Sequence, residues 1–219
     1  MKKYFAFVAS FLMAASCFAQ NENVYASKSG KIVYEYEMEG ITSSYSLTFD
    51  DHGAKQIIDI VNPDDNEHVK TIITPQAMFV VNYTDKQVLK IPIEMQNSGM
   101  YDAGAGGLDL SELVSEVTGE KQVKTGTEMV AGKNCDIYNY SDAEGNKGKY
   151  WIWNGYLLKA DFVGEDNTHS FMKVKEINLD ANIAASEFEI PSDFELNDMT
   201  KMMDQMNQLK QMYGSPDEE

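Results

Sequence analysis

The sequence predicts a mainly β, α+β domain built on antiparallel strands. Three observations lead there. From Lys31 onward apolar and polar residues alternate with period two, the spacing of a half-buried strand. Turn-forming clusters recur about every ten residues, the rhythm of a meander. No helical pattern interrupts the first six runs, and without crossover helices consecutive strands pair antiparallel.

The chain opens on an address. Lys2 and Lys3 precede an apolar run over 4–15, the length of a signal-peptide core and too short to span a bilayer as a helix. Cys17-Phe18-Ala19 before Gln20 suits signal peptidase, with small side chains at −3 and −1. Ala14-Ala15-Ser16-Cys17 is a weaker alternative, a lipobox that would leave Cys17 lipidated. The preferred reading is a signal peptide over 1–19 and an exported chain of charge −19, the two signal lysines having left. Residues 20–30 are polar and expected to be disordered.

A single domain is expected over 31–213. Ile32, Tyr34, Tyr36 and Met38 share one face of the first strand, and Tyr45, Leu47 and Phe49 one face of the second. Further strands are expected over 55–61, 68–74, 78–83 and 87–91. Residues 94–107 carry four glycines and no apolar period, so they read as a loop. A helix over about 109–118 would place Leu110, Leu113, Val114 and Val117 on one stripe, with Gly119 as its stop. Strands resume over 127–130, 135–140, 149–153, 157–163 and 169–177. Asn154-Gly155 between two apolar runs is a two-residue hairpin signal. Phe188, Ile190 and Pro191 read as a short extended piece. Residues 198–213 read as a helix, because Met199, Met202, Met206, Leu209 and Tyr213 recur at steps of three and four. An acidic tail over 214–219 ends the chain.

Composition narrows the function. Of 219 residues, 35 are acidic and 18 basic, every one of the latter lysine, for a formal charge of −17. That charge repels phosphate backbones and argues against nucleic-acid binding. Without arginine there is no bidentate fork for phosphate or carboxylate. After signal cleavage Cys135 is the only thiol, set in a strand-like alternation that suits a buried apolar side chain. No later run of eighteen apolar residues marks a transmembrane span.

No reaction declares itself. Gly104-Ala105-Gly106-Gly107 lacks both the dinucleotide fingerprint and the lysine of a phosphate loop. His52, His68 and His169 stand singly, without metal-ligand spacing; an enzymatic reading would need them to converge with carboxylates in a cleft. No nucleophile lies in a recognisable frame and the carboxylates are diffuse. A non-enzymatic protein with no metal and no cofactor is expected. Met199, Met202, Met203, Met206 and Met212 contain the thioethers of a copper site but not its histidines, so they read as adaptable apolar surface. Trp151 and Trp153 share one face of their strand, as do Tyr34 and Tyr36 on theirs. On a curved sheet these aromatic rows would line an apolar groove.

Three segments carry a family resemblance: Gly132-Lys133-Asn134-Cys135-Asp136-Ile137-Tyr138, Trp151-Ile152-Trp153-Asn154-Gly155, and Phe188-Glu189-Ile190-Pro191. Together they resemble an exported Bacteroidota family of unknown function that is related to the outer-membrane lipoprotein carrier and sorting group, LolA/LolB-like. The resemblance covers roughly residues 31–196. It implies a strongly curved antiparallel sheet, an unclosed barrel, with helices packed on its concave side. Relatives of known role hold acyl chains there. The arginine that latches the carrier's lid has no counterpart in a chain without arginine, and no catalytic residue carries over.

The expectation is therefore an exported cell-envelope protein, periplasmic or associated with the outer membrane, that holds an acyl chain or lipid between sheet and helices. Its lining would include Tyr34, Tyr36, Tyr45, Leu47, Trp151, Trp153, Met202 and Met206. The alternative is a non-catalytic structural or interaction module with a filled core and an envelope-protein partner.

Overall fold

Turn chemistry places the strands. The structure is a computed structural model and describes residues 24–63, 66–93, 95, 110–119, 123–141, 145–164 and 166–201. The first half forms β1 (Gly30–Met38), β2 (Ile41–Asp50), β3 (Lys55–Asn62), β4 (Glu67–Ile73), β5 (Ala77–Asn82) and β6 (Gln87–Pro92). Helix α1 (Leu110–Val117) follows, then β7 (Lys124–Val130), β8 (Lys133–Ser141), β9 (Lys147–Trp153), β10 (Tyr156–Val163), β11 (His169–Leu179) and β12 (Glu195–Asp198). At Asn154-Gly155 φ is 49° and 81°, and Glu39-Gly40 and Ala131-Gly132 repeat the pattern. Positive φ at both central residues is the hairpin turn whose twist matches that of paired strands.

All twelve strands form one unclosed sheet, ordered β12-β6-β5-β4-β3-β2-β1-β11-β10-β9-β8-β7. Two meanders, β1–β6 and β7–β11, spread in opposite directions from the β1–β11 pair. Every neighbouring pair is antiparallel except β12 on β6, which is parallel. That pair corrects the helix expected from Asp198. Glu195–Asp198 takes the open edge of β6 instead, with Glu195 N–H donating to Lys86 and Met199 N–H to Lys90. Helical backbone begins at Thr200, and the expected stripe beyond it, Met202 and Met206 included, lies outside the described residues.

Asp198 makes this junction. Its carboxylate accepts from the Thr200 amide at 2.9 Å and from the Lys90 ammonium at 2.9 Å. The Thr200 side chain, then Lys90, then the Thr200 amide hold the carboxyl down to about 2, against an ordinary 3.8. A carboxylate depressed by folding adds stability above its unfolded value and loses it as pH falls towards the folded one. Acidification from pH 5 to 2 is therefore expected to loosen β12 before the meanders. Amide exchange at Glu195–Asp198, compared with β1, measures it.

Because directly paired residues point to the same side, the register sorts the core into two faces. One carries Ile32, Leu47 and Ile58 in a row, and beside it Tyr34 opposite Tyr45. The same face continues through Tyr36, Met172, Ala160, Tyr150 and Tyr138. Helix α1 packs on this side against β8 and β10, burying Leu110, Val114 and Val117. Tyr140, in the same file as Tyr138, donates to Glu116 of the helix at 3.0 Å. The opposite face holds a second core of Ile57, Ile72, Val81 and Val88, roofed by Phe188, Ile190 and Phe194. Adjacent Ile57 and Ile58 are both buried, each serving a different core. Phe188 belongs to a 3-10 turn, Ala185–Phe188, rather than to the extended piece expected there.

Disorder over 20–30 does not hold for 24–30. Tyr25 is buried, its ring stacked on Tyr156 at 5.6 Å and tilted against Phe49 at 4.3 Å. One aromatic side chain in a polar segment suffices to tie it down, because a buried ring carries a large apolar area. Cys135 is fully buried, and burial pushes its thiol up, with the Asp136 charge adding to the effect. Only the thiolate reacts. The native protein is expected to resist an aromatic disulfide reagent that titrates one thiol after unfolding.

Candidate functional site

The tyrosine face is where sequence and structure meet. Phe49 on β2 and Tyr156 on β10 are separated by β1 and β11, yet their ring centroids lie 6.2 Å apart. Tyr34 on β1 donates across β11 to the backbone oxygen of Leu157 on β10 at 3.0 Å. A flat sheet would hold those strand pairs about 14 and 10 Å apart. The sheet therefore curls towards this face. The carbonyl that Tyr34 reaches lies at a bulge, where the register of β10 on β9 slips between Leu157 and Lys159. Burial drives the Tyr34 hydroxyl far above its usual range, with the neighbouring Tyr156 adding to the shift.

Of the predicted lining, Tyr34, Tyr45 and Leu47 are buried on this face, with Tyr34 edge-on to Tyr45 at 5.7 Å. Tyr36 is half-buried beside them. Its hydroxyl is pushed up by burial, opposed by a hydrogen bond with Ser170, and lies 3.3 Å from the Met38 sulfur. At the β5–β6 end the face continues through Met78, Ile91 and Met95, against which Met199 packs. Met199 thus lies on the side that α1 also occupies.

Trp151 sits elsewhere, and Trp153 meets the face at its edge. Trp151 pairs with Lys159 and Ile137, and its neighbours Tyr150 and Ile152 take the tyrosine face. Trp153, beyond the β10 bulge, lies opposite Tyr156 with the two rings stacked at 6.1 Å, while alternation puts Trp151 on the reverse of the sheet. There the Trp151 indole N–H donates to Glu128 at 2.7 Å, and the Lys159 and Lys149 ammonium groups lie 3.9 and 4.9 Å from its ring centroid. The indole hydrogen bond leads, with Lys159 contributing, in holding the Glu128 carboxyl below its usual range. Lys133 lies over Trp153 at 4.4 Å.

The reverse side also has a groove of about 250 Å³ between β1–β4, Tyr83 and residues 186–189. Lys31, Thr48, Asp59, Lys70, Tyr83 and Glu187 are among its lining, so it is polar. Asp59 pairs with His68 at 2.8 Å and Lys70 at 3.8 Å, while His68 stacks on Tyr83. His169 pairs with Asp161 on β10, and His52 lies near the Tyr25 carbonyl at 3.2 Å. Each histidine thus has a partner of its own. Among the described residues no group of three or more His, Cys, Asp or Glu side chains could hold a metal ion, and no helix is long and apolar enough to cross a membrane.

No family model matches the sequence, and no curated protein matches it. Solved structures do. An uncharacterized conserved protein from Thermus thermophilus aligns with a TM-score of 0.55 at 13% identity, over 79% of this chain and 91% of that one. The MucA/MucB complex from Pseudomonas aeruginosa aligns at 0.49 and 12% identity, over 77% of this chain but 58% of the other. A LolA-superfamily protein from Nitrosomonas europaea aligns at 0.35 and 10% identity, over 76% and 92%. At such identities the Thermus likeness is one of fold.

Proposed function

We propose that this is an exported, non-catalytic envelope protein that holds an acyl chain or similar apolar ligand against the tyrosine face of its curled sheet. The observation that carries the reading is that face itself. It is apolar from Ile91 on β6 to Tyr150 on β9, and the sheet bends around it. Tyr34, Tyr45, Leu47 and half-buried Tyr36 form its centre, with α1 over one part and Met199 packed at another. The LolA/LolB-like sequence resemblance points to the same class of ligand, and the signal-peptide pattern to the compartment where it would be met. Burying a twelve-carbon chain at about 0.8 kcal/mol per methylene supplies about 9 kcal/mol before association costs. No polar anchor is needed for useful affinity.

Mass spectrometry of the gently purified mature protein tests this. Co-purifying lipid, displaced stoichiometrically by dodecanoate, is the expected result. A protein that carries no lipid, and whose melting temperature dodecanoate leaves unchanged, overturns it. A second reading has its own support, since Tyr34, Tyr45, Leu47 and Phe49 are at most 4% exposed. A face filled by its own side chains suits an interaction module, which the same negative result would favour.

A further inference from the structure

The reverse face of β8–β11 is basic in a chain that is otherwise strongly acidic. Alternation places Lys133, Lys147, Lys149 and Lys159 of β8, β9 and β10 on that face, and beside them lie Asp161, paired with His169, and Glu128 of β7, paired with Lys159 at 3.4 Å. Lys173 of β11 lies directly opposite Lys159. A like-charge cross-strand pair is destabilising. Lys159 has Glu128 for a partner and Lys173 has Glu35 on its other side, but among the described residues Lys133, Lys147 and Lys149 form no ion pair, an excess of positive charge that suits a negative partner.

The lysines are also held in place. Three ammonium groups lie 3.9–4.9 Å from the centroids of Trp151 and Trp153. Cation–π attraction keeps such charges over the rings. Lys147, Lys149 and Lys173 are exposed, and Trp153, beneath Lys133, is half-buried. Four strands span about 15 Å, and the length of β9 about 20 Å, so the patch is broad. Its lysines lie within or close to the roughly 8 Å screening length of one another at physiological salt. Carboxylates across the sheet are screened more strongly.

We propose that this face docks the protein on an anionic phospholipid surface. Three features favour a bilayer over an acidic protein. The charge is spread over a sheet face rather than gathered in a groove. All of it is lysine, a point charge suited to diffuse attraction, whereas arginine would grip single carboxylates. A tryptophan lies among the lysines, as in membrane-interface belts. Docking here would leave the tyrosine face turned away from the lipid surface. The proposal rests on charge placement and is independent of whether that face holds a ligand.

Co-sedimentation with vesicles of phosphatidylglycerol and phosphatidylethanolamine tests it, with phosphatidylcholine vesicles as the neutral comparison. The mature protein is expected to bind the anionic vesicles at 20 mM salt, to release them at 500 mM, and to ignore neutral ones. Each lysine near such a surface contributes about fivefold in affinity. K133E/K149E is expected to weaken binding more than about 25-fold. K147E/K173E, which touches neither indole, is expected to do the same with an unchanged melting temperature. K86E, on the β5–β6 turn, should change binding less than about fivefold. The proposal fails if the wild type does not bind anionic vesicles. It fails equally if both double variants bind as well as wild type, or if polyglutamate captures the protein while vesicles do not.

Discussion

Replacing Phe49 with alanine is expected to lower the unfolding free energy by about 3–5 kcal/mol, the range for a large buried ring. Phe49 is fully buried and touches Tyr25 and Tyr156, so its loss opens the seam where β2, β10 and the N-terminal segment meet. It also lies over Gly30, where an added Cβ would come within 2.7 Å of the ring. Gly30→Ala alone should cost about 1–3 kcal/mol through overpacking. In the Phe49→Ala background that clash disappears, so the double variant should be more stable than the sum of the single losses implies. Urea midpoints of the four proteins measure both effects. An additive cycle would show that the ring does not fill the space above Gly30.

Ile72→Ala is expected to cost about 2–5 kcal/mol, for a different reason. Ile72 is fully buried in the reverse core, between the β3–β6 meander and the side chains of Phe188, Ile190 and Phe194. Its truncation should loosen the covering segment first, so limited proteolysis should cut within residues 180–194 at lower protease than in wild type. Because Ile72 and Phe49 occupy separate clusters on opposite faces, their costs should add within about 0.5 kcal/mol. Strong coupling would mean that the two cores open as one.

Much of the meander was legible because alternation and turns are local signals. The Asn154-Gly155 hairpin and strands β7 to β11 fall close to the expected places. The parallel β12 was not legible, since Glu195–Asp198 has no alternation of its own and becomes a strand by occupying the edge that β6 offers. The reverse core was missed for a related reason. Ile57 and Ile58 stand side by side, so a period-two reading assigns one of them outwards, and only the later arrival of Phe188 and Phe194 covers it. At the candidate site the shared faces of Tyr34, Tyr36, Tyr45 and Leu47 followed from counting by two. The relation between the tryptophans and the tyrosines did not, because register between distant strands is set by pairing and bulges that sequence spacing does not encode. The lysines over Trp151 carried a signal that could have been used: Lys149, Trp151 and Trp153 alternate in one strand.

The stretch from Leu179 to Met199 leaves a central strand, crosses the back of the first meander and finishes on that meander's outermost strand. It behaves as a belt, buckled by the Lys90–Asp198 pair across 108 positions of chain. The buckle cannot fasten until Asp198 has been brought back to β6, a long loop to close, so it forms later than the local hairpins. A nascent or clipped molecule lacking it would bare an oily back and a sticky strand border together, the combination that seeds self-association. Cellular quality control would then have one handle by which to recognise an unfinished copy.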